Sequence, residues 1–523
     1  MKQNLLDKEV LAMYDVRGIQ SYIFRTNKVK EIVGASVLVE KIITDGFKKF
    51  VENNADKSKY LLNWKDNEKE NIKADSPSAF IDNSDIKMQV LFIGGGNAYV
   101  LFRQGEICEK LNRFLAKHVL ENSYSLKLAV AVTEKTDSYS EDYRNINNEM
   151  RGIKARMPET GPLGALPFMA VDSVTGYSIT KKVPIENKYE FYSTEAKLKR
   201  NNFPKDIDEK IFDNMVTEKG DNSSLALCHI DGNSMGKRIM TEMQGVVKYE
   251  DAVSKMRKIS EGISKIFRKT FDDMCLEMSR LSPHVKKEIK TQLYREIIVA
   301  GDDITFVCNA KLAIPAVKYF LKHIGETNIG TEEHKDCYTA CGGIAFFNSH
   351  FPFSDAYQAA EACCESAKKR AKDPVNRGID EKIGNFFDFQ ICTNVGAADL
   401  DSYREKHYKN AEGYFIARPY YVPTENDYHN LNKTNEKYSV ENFDEWMKFF
   451  SNKSTPRNKT KELRNTIPMG EIELDKEIKF LKSRNFFKSE ANSGGKEYRV
   501  WYDALEVMDF YIDDEEAQHE NKN

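Results

Sequence analysis

Hydrophobic positions along this chain fall into short unbroken runs and longer stretches at helical spacing, and the two kinds alternate in the same order twice. Val10 to Val16 is an apolar run carrying Asp15, and Gly18 then opens a helical pattern with Ile19, Ile23, Val29, Ile32, Val37, Ile42 and Phe47. A polar segment from about Asn53 to Lys87 reads as a surface excursion. Val90 to Ile93 and Ala98 to Phe102 flank Gly94-Gly95-Gly96-Asn97, a hairpin signal because glycine and asparagine tolerate positive φ. A helix from Glu106, with Ile107, Leu111, Phe114, Leu115 and His118 on one face, and a strand over Leu126 to Val132 complete the unit. The order βαββαβ predicts a ferredoxin-like sheet with its helices on one face.

The same order returns further along. Leu225 to Asp231 reads as a strand, Met235 to Met278 as mainly helical, and Glu296 to Ala300 with Ile304 to Cys308 as a hairpin around Gly301-Asp302-Asp303. A helix with Ile314, Val317, Phe320, Leu321 and Ile324, a strand over Tyr338 to Phe346 and a helix over Ser354 to Lys372 follow. The repeat aligns Asp15 with Asp231, and Gly96-Asn97 with Asp302-Asp303.

The fold class expected is α+β: two ferredoxin-like domains and a small helical C-terminal domain. The domains are residues 1–140 for the first repeat, 141–222 for a connector packed on the repeats, 223–395 for the second repeat and 396–512 for the helical part. Residues 513–523 form an acidic tail expected to be disordered. At 523 residues and 41% hydrophobic content the chain can fill several cores. No apolar run is long enough to cross a membrane and no secretory leader opens the sequence, so a cytoplasmic protein is expected. The nine cysteines have no disulfide-framework spacing. Of these, Cys363 and Cys364 read as core, and His334, Cys337 and Cys341 read as a packed segment rather than a metal cluster. A net charge of -3 excludes wholesale attraction of nucleic acid. Any such contact must be local, the candidate being Lys448 to Arg464, with Lys453, Arg457, Lys459 and Lys461 inside it, and a solvated charged loop is the ordinary reading.

The chemistry concentrates at the second hairpin. Nucleotidyl transfer uses divalent metals to activate the attacking hydroxyl and neutralise the leaving pyrophosphate, and carboxylates at the same end of adjacent strands can hold them. Asp231, Asp302 and Asp303 meet that requirement as catalytic residues and ligands of a divalent metal. A Gly-Asp-Asp turn alone has a backbone explanation. Here the strand LALCHID brings a third carboxylate beside it, and three together are costly without a cation. Gly301 after Ala300, and Gly232, give phosphate close access to the backbone, and Lys368 in AKKRAK offers it a cation. The ordinary reading of that basic helix end is complementarity to the helix dipole.

The segments HIDGNSMGK from His229, AGDD from Ala300 and GGIAFFNSHFPFSDAYQAAEACCESAKKRAK resemble the second palm domain of the large polymerase-cyclase subunit of type III CRISPR complexes. YDVRGIQSYIF with IGGGNAYVLF is similar to that family's first palm. The resemblance implies synthesis of cyclic oligoadenylate second messengers from ATP, with Mg2+ or Mn2+ as cofactor, in antiviral defence. It places Asp231, Asp302 and Asp303 at the metal, and Gly232, Asn233, Ser234, Ala300, Gly301 and Lys368 around the nucleotide. Asp15, Gly94, Gly95, Gly96 and Asn97 become a second nucleotide seat in a first palm without turn carboxylates, hence catalytically silent. No histidine is followed by aspartate, so the family's HD nuclease is not expected, and no cysteine pair lies between Cys108 and Cys228, so the family's cysteine-pair zinc is not expected either. The turn reads AGDD where GGDD is usual, and Asn233 stands where a second aspartate is common.

Two further readings compete with this one. One is a scaffold subunit of an RNA-guided complex, whose partners are CRISPR RNA and companion subunits. The other is a stand-alone cyclic dinucleotide synthase, for which pairing of two chains stays open.

Overall fold

The computed structural model describes residues 3–512 except 68–69, 95–96, 158–164, 186–187, 209, 218–222, 287–291, 331–335, 374–382, 394–398, 425–437, 453–454 and 487–496. The chain divides into two units. One is Met1–Glu209 with Ser234–Ile266 and Ala300–Asp302; the other is Lys210–Asn233 with Phe267–Val299 and Asp303–Asn523.

The first unit begins with β1 (Val10–Arg17), α1 (Ile19–Phe24), α2 (Val29–Glu52), β2 (Tyr60–Leu61), α3 (Ala79–Asp82) and β3 (Met88–Gly94). It continues through β4 (Asn97–Phe102), α4 (Gly105–Ser123), β5 (Lys127–Glu134) and α5 (Tyr139–Arg156). The sheet order is β2-β3-β4-β1-β5, so the last four strands keep the ferredoxin-like arrangement and β2 extends one edge. Both faces of this sheet are covered, whereas the sequence reading placed helices on one. The reason is visible in β1, whose seven buried residues form a continuous run rather than an alternation. Tyr14 turns to one face, stacking edge-on against Phe47 of α2 at 5.6 Å and donating to Asn112 of α4 at 2.7 Å. Leu11 and Met13 turn to the other, into a core with Ile146 and Met150 of α5 and with Tyr249, Val253 and Met256.

After α5, β6 (Ile179–Ile185) and β7 (Lys188–Ser193) form an antiparallel hairpin and α6 (Thr194–Asn201) docks on α2. The docking is close: a Cβ on Gly34 would lie 1.9 Å from the Lys199 carbonyl oxygen. Burial would strand the Lys199 ammonium, but it pairs with Glu195 at 2.6 Å and donates to the Tyr22 carbonyl at 2.6 Å. The expected connector therefore contains ordered elements packed on the first sheet's helices.

The second repeat comprises α7 (Ile211–Met215), β8 (Ser224–Gly232), α8 (Met235–Glu242), α9 (Tyr249–Val285), β9 (Tyr294–Ala300) and β10 (Asp303–Asn309). It continues with α10 (Ala310–Glu326), β11 (Ala340–Asn348), α11 (Phe353–Lys372), β12 (Asn385–Cys392) and α12 (Leu400–His407). The stretch from Met235, expected to be mainly helical, is two helices, and the unit to which α8 and the start of α9 belong is the first. Short strands β13 (Lys409–Asn410), β14 (Gly413–Tyr414) and β15 (Tyr420–Val422) follow, and the large sheet runs β15-β12-β11-β8-β10-β9. Here too helices lie on both faces, and adjacent glycines of β11 show why. A Cβ on Gly342 would meet the Val317 side chain of α10 at 2.7 Å, and one on Gly343 would meet the backbone oxygen of Ala360 in α11 at 1.9 Å.

Beyond the sheet lie helices over Val440–Ser451, Arg457–Thr466, Glu471–Ser483 and Tyr498–Val507, the expected helical C-terminal part. A buried charge network ties it to β12. Arg404 grips Asp388 with two bonds of 2.7 Å, and Arg418 pairs with Asp503 at 3.1 Å and Glu506 at 2.6 Å. In the basic stretch from Lys448, Arg457 pairs with Asp509 at 2.8 Å and Lys459 with Glu462 at 2.7 Å, which satisfies part of its charge internally. Lys453, His334 and the acidic tail lie outside the described residues. Cys341, Cys363 and Cys364 are buried, as a packing role requires.

Because the Gly343 contact is with helix backbone that cannot rotate aside, Gly343→Ala is expected to destabilise by about 2 kcal/mol or more. Gly236→Ala, with nothing within 4 Å of its added Cβ, is expected to be neutral or slightly stabilising. Denaturant unfolding of both variants checks the contrast.

Candidate active site

Antiparallel pairing of β8 and β10 sets Asp303 directly opposite Asp231, with Thr305 opposite His229 two residues further in. Directly opposed residues share a face and bring their Cβ atoms to about 4.5–5.5 Å. Side-chain period two therefore puts Asp231, His229, Asp303 and Thr305 on one surface. The two carboxylates are each about a third exposed, at 32%. His229 below them is buried, shares a hydrogen bond of 3.1 Å between Nδ1 and the Thr305 hydroxyl, and lies 3.6 Å from the Asp303 carboxylate.

The face is covered by α11, and its approach is set by Gly343, the neighbour of His229 on β11. Tyr357, Cys364 and Lys368 recur on this side at helical spacing. Tyr357 packs edge-on to His229 with centroids 5.8 Å apart, and Lys368 reaches back to donate to the Asp231 carboxylate. Burial opposes the Lys368 charge, yet the Asp231 carboxylate holds the ammonium above its ordinary range. Burial also pushes the His229 pKa down to about 4, against the pull of Asp231, so this imidazole is neutral near pH 7.

The structure therefore brings together Asp231, Asp303 and Lys368. Asp302 sits one residue back in the turn and groups with the first unit, as do Ala300 and Gly301. The turn itself explains why alanine is accepted before the glycine. Ala300 ends strand β9, whereas Gly301 takes φ +68, a left-handed conformation natural to glycine. Gly232 closes β8, and Ser234 adopts φ 55 at the start of α8. Asn233 has a structural task. Its amide donates to the Thr339 hydroxyl and the Gly384 carbonyl, both at 3.2 Å, joining the chain ahead of β11 and β12. In the first repeat Asp15 of β1 lies opposite Asn97 of β4, and Gly94 ends β3; Gly95 and Gly96 lie outside the described residues.

Sequence reasoning passed over His229 and Tyr357. The signal for Tyr357 was its spacing from Lys368 along a helix already recognised, and that for His229 was a period-two step from Asp231 along a buried strand. Among the described residues no three His, Cys, Asp or Glu side chains stand ready as a metal-holding group. The residues present nonetheless fit a hard divalent cation. Two carboxylates are opposed on one face and partly open to solvent, and such ions commonly take one or two carboxylates and complete their shell with phosphate oxygens and water.

The fold and the paired carboxylates define a palm-type domain. Residues 224–376 match the family profile described as Cas10/Cmr2, second palm domain. Over that segment the chain is similar to that second palm domain, in line with the resemblance of its motifs. Among solved structures the chain is similar at 12% identity to a chain of the apo Csm1-Csm4 cassette, with TM-score 0.48, covering 98% of this chain and 71% of that one. Against the cassette in complex with one ATP the values are 12%, 0.47, 97% and 70%. Against the complex with cA4 they are 11%, 0.43, 97% and 70%. No curated protein matches the chain. Among the described residues no helix is long and apolar enough to cross a membrane.

Between pH 6.5 and 4 the unfolded chain takes up a proton at position 229 that the folded chain refuses, so stability falls as the pH drops through that window. His229→Gln, which can keep the bond to Thr305, is expected to flatten this dependence by up to roughly 3 kcal/mol. Denaturant unfolding at pH steps from 7 to 4 reads it, and an unchanged slope counts against the buried neutral imidazole.

Proposed function

We propose that this chain is a metal-dependent nucleotidyltransferase that joins ATP into cyclic oligoadenylates, as a second-messenger enzyme of antiviral defence. The observation that carries the reading is the pair Asp231 and Asp303, opposed in register with Lys368 held between sheet and helix. The family match over residues 224–376 supports it.

Asp231 and Asp303, with Asp302 from the turn, would hold magnesium or manganese. Such an ion supplies a lowered pKa to an attacking ribose hydroxyl and neutralises charge on the departing pyrophosphate. The protein's own contribution begins with charge balance. In the free state Lys368 neutralises Asp231. When a triphosphate enters, that ammonium is the cation nearest the carboxylates and passes to the phosphate chain, leaving Asp231 free to act as a ligand. A Cβ added to Gly301 would meet no atom within 4 Å, so the turn backbone stands open to phosphate oxygens. Neutral His229 and Tyr357 form a floor that adds no positive charge beneath the carboxylates. The first repeat, with Asn97 in place of the turn carboxylate, serves as a second nucleotide seat without chemistry of its own. Assembly into an RNA-guided complex accompanies this activity in the proposed setting, as the partner class expected from the sequence.

The purified chain is incubated with labelled ATP or GTP and Mg2+ or Mn2+, with and without RNA, and products are resolved by chromatography. ATP is expected to yield cyclic products and pyrophosphate. Asp303→Asn is expected to lower the rate by roughly 100-fold or more. Lys368→Ala is expected to act mainly on KM, by about tenfold. If the wild type leaves ATP and GTP intact under every condition, the enzyme reading falls.

A further inference from the structure

The two repeats share one pairing register, and the correspondence exposes a residue that the sequence pattern leaves unremarked. Asp15 stands between Asn97 of β4 and Ala129 of β5, as Asp231 stands between Asp303 of β10 and Cys341 of β11. The helix after β5 is α5, and from it Lys154 reaches Asp15 at 2.5 Å, just as Lys368 of α11 reaches Asp231. Each repeat thus ends its site helix on the same device, Lys154-Ala155-Arg156 in one and Lys368-Lys369-Arg370 in the other.

The charges differ. In the second repeat a carboxylate remains after Lys368 has neutralised Asp231, because Asp303 lies opposite. In the first repeat Lys154 neutralises Asp15, and the opposite group is the uncharged amide of Asn97. A divalent cation that needs anionic oxygen finds a single carboxylate there, 10% exposed and already paired. What this repeat offers a polyanion is the protein's own ammonium, a strongly hydrated point charge suited to phosphate.

The strand β3 beside it is also held in place. The strand β3 slips register between Val90 and Phe92, and Arg257 caps the carbonyls this frees, donating to Leu91 at 2.6 Å and Val90 at 3.1 Å. One turn on, the Ser260 hydroxyl would lie 2.9 Å from a Cβ on Gly94, so this polar group meets the end of the strand closely.

We propose that the first repeat binds the phosphate chain of a nucleoside triphosphate without a divalent cation, with Lys154 as the cation that meets it. The proposal rests on the two-seat reading above. Lys154 passes from Asp15 to a phosphate oxygen, Asp15 orients its stem, and the metal requirement of the whole chain belongs to the second repeat alone.

Equilibrium binding of the β,γ-imido analogue of ATP to the full chain, in EDTA and in Mg2+, together with Mn2+ binding followed by electron paramagnetic resonance, tests this. One analogue site is expected in EDTA and a second on adding Mg2+, with one Mn2+ bound per chain. Lys154→Gln should weaken the EDTA-resistant site by roughly 10- to 100-fold and leave Mn2+ stoichiometry unchanged, while Lys154→Arg retains part of the affinity. Asp303→Asn should remove Mn2+ binding and spare the EDTA-resistant site. Two Mn2+ per chain, no analogue bound in EDTA, or EDTA-resistant binding unaltered in Lys154→Gln would each overturn the proposal. None of these readouts requires turnover, so a chain that binds in EDTA but makes no product would sink the enzyme reading and leave this one standing.

Discussion

The close approach of α11 to its sheet is the constraint on which the second repeat depends. Gly343 has no side chain, so the helix backbone at Ala360 lies where a Cβ would otherwise be. From that height Lys368 spans to Asp231, Tyr357 settles on His229, and the carboxylate pair is covered from one side and open on the other. Raise the helix by the thickness of a methyl group and the lysine no longer neutralises the carboxylate it was placed to meet. Packing, in this sense, fixes the electrostatics of the site before any ligand arrives.

The acidic pair makes the same point from the sheet side. Two carboxylates opposed across an antiparallel register repel, and turn chemistry accounts for Asp303 but not for Asp231 opposite it. They persist because an ammonium offsets one of them, and because a one-residue slip of either strand would send its carboxylate to the opposite face, among the apolar side chains of α10. The strand pairing that gives this chain a core is thus the same pairing that gives it a site.

Much of this was legible in the sequence, for a physical reason. Unbroken apolar runs ending in Asp15 and Asp231 mark strands buried on both sides, and glycine-bearing turns mark hairpins whatever the tertiary context. What escaped notice were elements whose polarity is misleading. The strand β12 contains Asp388 and Gln390, which look like solvent-facing positions but are fully buried, Asp388 paired with Arg404 and the Gln390 amide donating to the Tyr408 hydroxyl, both some way downstream. Lys154 escaped because a basic residue near a helix end has an ordinary explanation in the helix dipole, and only the register of Asp15 sets it apart. His229 was read as one letter of a motif rather than as the buried partner of Thr305. Placement of helices on both sheet faces was likewise hidden, although the absence of alternation in β1 and β8 already required it.

The charge network around β12 bears on what kind of module the second repeat is. Asp388 is fully buried in the sheet, and the guanidinium groups that neutralise it, Arg404 and Arg418, come from chain that lies past the last strand of the ferredoxin-like core. Arg418 in turn answers to Asp503 and Glu506 on a helix near the end of the described chain. Among the described residues the cations that balance this interior charge come from the C-terminal neighbour, so exchange of the domain as a free-standing cassette would leave Asp388 buried without them. Recombination within this fold would have to carry palm and helical part as one inherited block, or first replace Asp388 with an apolar residue.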